Sequence, residues 1–251
     1  GISWSIISFS NGGAHFAKIF YGNGTYLAPN CTGYTMSISY DLRTWEPSLG
    51  GSCIISGAYG NNTFVVGGHG PEVYTSTDYG TNWNLNEAGS GHNITDIIYA
   101  NNIFVATSSG GTILYSTDGL NYTAKYTDAN TISTYSGKYR VEVVCTPSNS
   151  NVIYAVGAST DAGDNDVLFF IKSSDGGSNW SSITIPLNSD GNHFTRAQAW
   201  YDLILAVDPN NDLLSYQITQ SPTHGSLSGQ NEVYLYTPNS NFFGQDSIKF
   251  T

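Results

Sequence analysis

Three short segments of this chain repeat one local plan, and that plan restricts the fold more than any other feature. Phe20-Tyr21-Gly22-Asn23-Gly24-Thr25-Tyr26-Leu27, Ala58-Tyr59-Gly60-Asn61-Asn62-Thr63-Phe64-Val65 and Ile98-Tyr99-Ala100-Asn101-Asn102-Ile103-Phe104-Val105 each read as strand, two-residue turn, strand. The turns are Asn-Gly or Asn-Asn, the residues that accept positive φ at least cost. The tyrosines lie 38 and then 40 residues apart. Internal repeats of this length mark architectures built from one stacked supersecondary unit.

A second signature follows each hairpin. Ser76-Thr77-Asp78-Tyr79-Gly80-Thr81-Asn82-Trp83 and Ser173-Ser174-Asp175-Gly176-Gly177-Ser178-Asn179-Trp180 share S-x-D-x-G-x-x-W. Ser116-Thr117-Asp118-Gly119-Leu120-Asn121-Tyr122 is one residue shorter and ends in Tyr, and Ser39-Tyr40-Asp41-Leu42-Arg43-Thr44-Trp45 lacks the glycine. The pattern resembles the Asp-box, or bacterial neuraminidase, repeat. The resemblance implies an all-β propeller, and a period near 40 residues suits a four-stranded blade. The aspartate is expected to accept backbone N–H groups of the turn, the glycine to permit a left-handed conformation, and the aromatic ring to pack back on the hairpin. On this reading Asp41, Trp45, Ser76, Asp78, Gly80, Trp83, Ser116, Asp118, Gly119, Ser173, Asp175, Gly177 and Trp180 are structural, and no catalytic residue is assigned. Four to five blades are expected within residues 1–199, the fourth from about Tyr139 to Pro186. Gly1-Ile2-Ser3-Trp4 matches the last half of another copy, so the chain is expected to start inside a blade, with the propeller either a small ring or a fragment.

From about residue 200 the pattern changes. Asn211-Asp212-Leu213-Leu214-Ser215-Tyr216, Pro222-Thr223-His224-Gly225 and Tyr236-Thr237-Pro238-Asn239-Ser240-Asn241-Phe242-Phe243-Gly244-Gln245-Asp246 resemble the tandem immunoglobulin-like, cadherin-like modules of large bacterial surface proteins. That resemblance implies an incomplete immunoglobulin-like β-sandwich over 200–251.

Composition agrees with short strands and tight turns: 28 Gly, 18 Tyr and only 11 % charged residues. Eight Lys and Arg against a net charge of −11 provide no phosphate-binding stripe, which argues against nucleic acid and anionic membranes as partners. No apolar run reaches the length of a membrane span. Of the three cysteines, Cys31 and Cys53 can form one disulfide with Cys145 left over, or all three can be unpaired small hydrophobes.

Candidate chemistry is sparse. Sialidases bearing this repeat grip a sugar carboxylate with three arginines; here Arg43, Arg140 and Arg196 are all there is, and Arg43 lies inside a degenerate box. Glu46, Glu72, Glu87, Glu142 and Glu232 show no pairing and read as solvated loop carboxylates. His15, His69, His92, His193 and His224 lack zinc-ligand spacing. Asp161, Asp164 and Asp166, and Asp208 with Asp212, are weak calcium candidates; no other cofactor is expected. The function expected is a non-catalytic extracellular or cell-surface module of an adhesin-like protein, for adhesion, scaffolding or glycan binding. Its partners would be a glycan, a cell-surface protein, further domains or copies of itself, without membrane insertion. The alternatives are a fragment of a secreted exo-glycosidase and a phage tail-fibre propeller.

Overall fold

The computed structural model describes residues 18–31, 34–127, 139–159, 167–187, 203, 205–207, 218–230, 233–240, 247 and 249–250. Gly1–Trp4 and all five calcium candidates therefore lie outside the described residues. The fold is all-β, with no helix among the described residues.

Sixteen strands form four sheets, each a four-stranded antiparallel meander in chain order. The first holds β1 (Phe20–Gly22), β2 (Thr25–Asn30), β3 (Thr35–Ser39) and β4 (Glu46–Gly50). The second holds β5 (Ile54–Gly60), β6 (Thr63–Gly68), β7 (Glu72–Ser76) and β8 (Asn84–Glu87). The third holds β9 (Ile94–Ala100), β10 (Ile103–Ser108), β11 (Thr112–Ser116) and β12 (Thr123–Thr127). The fourth holds β13 (Tyr139–Thr146), β14 (Asn149–Ser159), β15 (Val167–Ser173) and β16 (Ser181–Ser182). The first strand of each sheet packs on the first strand of the next: β1 on β5, β5 on β9, β9 on β13. This is the arrangement of successive propeller blades, whose first strands converge.

The turn chemistry read from the sequence operates as expected. Asn23, Asn61, Asn62, Asn101 and Asn102 have φ between 47° and 61°, and Gly24 has 81°. These turns match the right-handed twist of the strands they join. The apolar core lies between sheets. Phe20, Leu27, Met36 and Ile38 pack on Ile54, Phe64 and Val66. Val65 and Val73 pack on Ile94, Phe104 and Leu114, and Val105, Ile113 and Tyr115 on Val143, Ile153 and Ile171. Tyrosines complete these seams at the hairpin ends: a Cβ at Gly22 would overlap the Tyr59 ring, and one at Gly60 the Tyr99 ring. A disulfide, Cys31–Cys53, joins the end of β2 to the start of β5, linking the first two sheets covalently; Cys145 is free.

Contacts divide the chain into units 1–209 and 210–251. Leu203 is buried with Val156, Ala158 and Val167 of the fourth sheet. In the second unit β17 (Ile218–Gln220) pairs with β20 (Lys249–Phe250), and β18 (Gly225–Gln230) with β19 (Val233–Pro238).

Candidate functional site

Each of the four S-x-D turns closes on its aspartate. In the second sheet, Asp78 Oδ1 accepts from Ser76 Oγ at 2.8 Å and from the Asn82 N–H at 2.9 Å, while Oδ2 accepts from Asn82 Nδ2 at 2.7 Å. Ser76 Oγ in turn accepts the Gly80 N–H at 2.8 Å. Asp175 repeats the set with Ser173 and Asn179, and Asp118 with Ser116 and Asn121. Asp41, in the copy without glycine, accepts from the Arg43 and Thr44 N–H groups at 2.7 and 2.8 Å, and Leu42 takes the left-handed conformation at φ 62°. Donors that favour the charged form hold these carboxyls low. The Asn82 N–H brings Asp78 to about 2, the Asn179 N–H brings Asp175 to about 2, and the Thr44 N–H brings Asp41 to about 2; the Asn121 N–H lowers Asp118 further.

The turn glycines do more than turn. A Cβ on Gly119 would lie 2.6 Å from Val65 Cγ2, and one on Gly80 would lie 3.0 Å from Leu27 Cδ2; one on Gly177 would overlap the Tyr115 hydroxyl. Each of these neighbours belongs to the preceding sheet. The missing side chain therefore lets one blade seat against the one before it. Trp83 adds to this seam, its Nε1–H donating to Ser48 Oγ of the first sheet at 3.0 Å and to Gly80 O at 3.1 Å.

A second constellation escaped sequence reasoning. Following the strand pairings inward from the serine that opens each turn gives Ser39–Tyr26–Tyr21, Ser76–Phe64–Tyr59, Ser116–Phe104–Tyr99 and Ser173–Ile153–Cys145. Cys145 thus occupies the tyrosine position of the fourth blade. Three residues earlier in each blade stand Lys18, Ser56, Asp96 and Glu142. The structure brings all four together. Asp96 is 4 % exposed. Its Oδ1 accepts from Lys18 Nζ at 2.8 Å, Ser56 Oγ at 2.6 Å and its neighbour's N–H, Ile97 N, at 3.1 Å; Oδ2 accepts from the Val143 N–H at 3.2 Å. Donors from four blades thus converge on one carboxylate, three on Oδ1 and one on Oδ2. Glu142 is not a solvated loop carboxylate. It lies in β13, receives Arg140 Nε at 2.9 Å, and is pushed above the usual carboxylate range by burial and then by the Asp96 charge, against the pull of Arg140. Its strand position explains the difference: β13 packs against β9, and little water reaches it.

Other candidates are not assembled. Among the described residues no three His, Cys, Asp or Glu converge as a metal site, and no helix is long and apolar enough to cross a membrane. Of the arginines, Arg43 sits in an exposed turn and Arg140 on β13, while Arg196 lies outside the described residues.

Comparison with known proteins places this geometry. Residues 188–251 match the family of bacterial Ig domains. An ancestral GH74 enzyme is similar in fold, with a TM-score of 0.52 and 17 % identity over 68 % of this chain and 25 % of that one. The chain thus spans a quarter of that enzyme's length. YCF48 bound to D1 peptide matches with a TM-score of 0.49 and 14 % identity over 95 % of this chain and 68 % of that one. YCF48 from Cyanidioschyzon merolae matches with 0.47 and 14 % over 72 % and 60 %. No curated protein matches the chain in sequence. The chain is an all-β protein in which propeller-like blades precede a segment that matches bacterial Ig domains, and that match points to a surface or extracellular protein.

Proposed function

We propose that the chain is a non-catalytic, extracellular binding module of an adhesin-like bacterial protein, and that its S-x-D turns are Asp boxes. One observation carries the reading: the chain's repeated carboxylates are committed to holding structure. Asp41, Asp78, Asp118 and Asp175 each serve their own turn, and the buried Asp96 is tied to donors from four blades. A nucleophile or general acid needs a carboxyl free to meet substrate. The inter-blade disulfide suits an oxidising compartment. A surface glycan or surface protein is the partner class that fits a chain of net charge −11; nucleic acid and membrane insertion are not proposed, nor is any cofactor.

A glycosidase is the rival, and Glu142 favours it: a carboxyl raised by burial, beside Asp96, among the converging first strands. The two readings separate on release of new reducing ends from neutral and acidic polysaccharides. The non-catalytic reading predicts no release above blank. Release that disappears in Glu142→Gln would overturn it.

A further inference from the structure

We infer that the hairpin end of the first two blades is a binding platform for neutral glycan chains, an inference that rests on the non-catalytic reading above. Large exposed hydrophobic side chains are few among the described residues, and three of them are tyrosines gathered at one end. Tyr21 and Tyr40 are each 60 % exposed and Tyr79 is 41 % exposed. Strands β1 and β3 run in the same direction, because each pairs antiparallel with β2. The turn after β1 and the turn after Ser39 therefore share an end, and the same holds for β5, β7 and Tyr79.

Strand register brings these tyrosines to neighbouring positions. Tyr21 and Tyr26 lie 4.7 Å apart, and Tyr26 is the register partner of Ser39, next to Tyr40. The Tyr59 ring covers Gly22, beside Tyr21, and Tyr79 follows β7 at the same end of the second blade. The support is stiff: Asn23, Asn61 and Asn62 are held at positive φ, and Asn62 Oδ1 accepts the Tyr59 hydroxyl at 3.3 Å. A preformed platform loses little freedom on binding.

The chemistry selects the ligand. Tyrosine presents an apolar face for the C–H surface of a sugar ring and a hydroxyl for its polar rim, and exposed asparagine amides add donors and acceptors. Asp41 and Asp78 stand at the same end and are ionised throughout the physiological range. They disfavour uronates and other anionic sugars, which leaves neutral chains as the ligand class.

The test is affinity electrophoresis of the full chain in native gels containing galactomannan, hydroxyethyl cellulose or dextran, with polygalacturonate in parallel. Retardation is expected in a neutral polymer, weakened at least tenfold in Tyr21→Ala and Tyr40→Ala. Tyr34→Ala should behave as the parent; Tyr34 is 57 % exposed but lies at the opposite end of the same blade. Circular dichroism confirms that each variant is folded. The inference is overturned by retardation in polygalacturonate alone, by none in any neutral polymer, or by equal retardation of the Tyr variants and the parent; a protein ligand would give the second result. Release of reducing ends counts against the non-catalytic reading and leaves a Tyr-dependent retardation standing.

Discussion

Replacing Gly119 with Ala tests whether the turn glycines seat one blade on the next. Gly119 has φ 76°, and alanine in that conformation costs about 1–2 kcal/mol. Its Cβ would also lie 2.6 Å from Val65 Cγ2 and 3.4 Å from Thr75 Cγ2, inside the seam between the second and third sheets. Forcing a methyl into a packed seam costs about 1–3 kcal/mol more. The whole loss is thus about 2–5 kcal/mol. Gly24→Ala is the internal reference: φ is 81°, yet nothing lies within 4 Å of the added Cβ, so only the conformational cost of about 1–2 kcal/mol applies. Urea denaturation of both variants, at unchanged m-value, measures the difference. It should be about 1–3 kcal/mol, with Gly119→Ala the weaker. Equal losses would refute the seating argument and reduce the glycine to a turn residue.

Reducing the Cys31–Cys53 disulfide, or replacing both cysteines with serine, should lower stability by about 3 kcal/mol, read as a shift in the denaturation midpoint. Acid should destabilise the protein through its turns. Asp41, Asp78 and Asp175 have folded pKa values of about 2 against an ordinary 3.8, so their contribution is complete above about pH 4 and is lost as pH falls through about 2. Asp78→Asn should flatten that fall in a midpoint-versus-pH series. Asp96→Ala should cost about 3–5 kcal/mol, because it strands the Ser56 hydroxyl proton and the Val143 N–H in a buried seam, while the Ile97 N–H keeps Ser56 Oγ as acceptor; a loss under 1 kcal/mol would show that water replaces the carboxylate there.

The all-β, blade-like fold was legible because its determinants are local. Asn23-Gly24, Asn61-Asn62 and Asn101-Asn102 announce their turns by conformational preference, and the serine–aspartate spacing announces the next one. The cluster around Asp96 was not legible for the converse reason. Lys18, Ser56, Asp96 and Glu142 stand at equivalent places in the four blades but mix a cation, a hydroxyl and two carboxylates, so alignment by residue type passes over them; the packing of the blades brings them together. Cys145 hid the fourth hairpin in the same way, by standing where the other blades carry tyrosine. The Cys31–Cys53 pairing was one of two open readings. It is decided by topology, since β2 ends where β5 begins.

The repeated aspartates build the blades and hold no neutral ligand. Single Asp→Ala replacements at Asp41, Asp78, Asp118 and Asp175, each read for denaturation midpoint and for retardation in the neutral-polymer gel, test this most directly. Every midpoint should fall while retardation, measured well below the midpoint, stays within twofold of the parent. A variant that keeps its midpoint and loses retardation would contradict it.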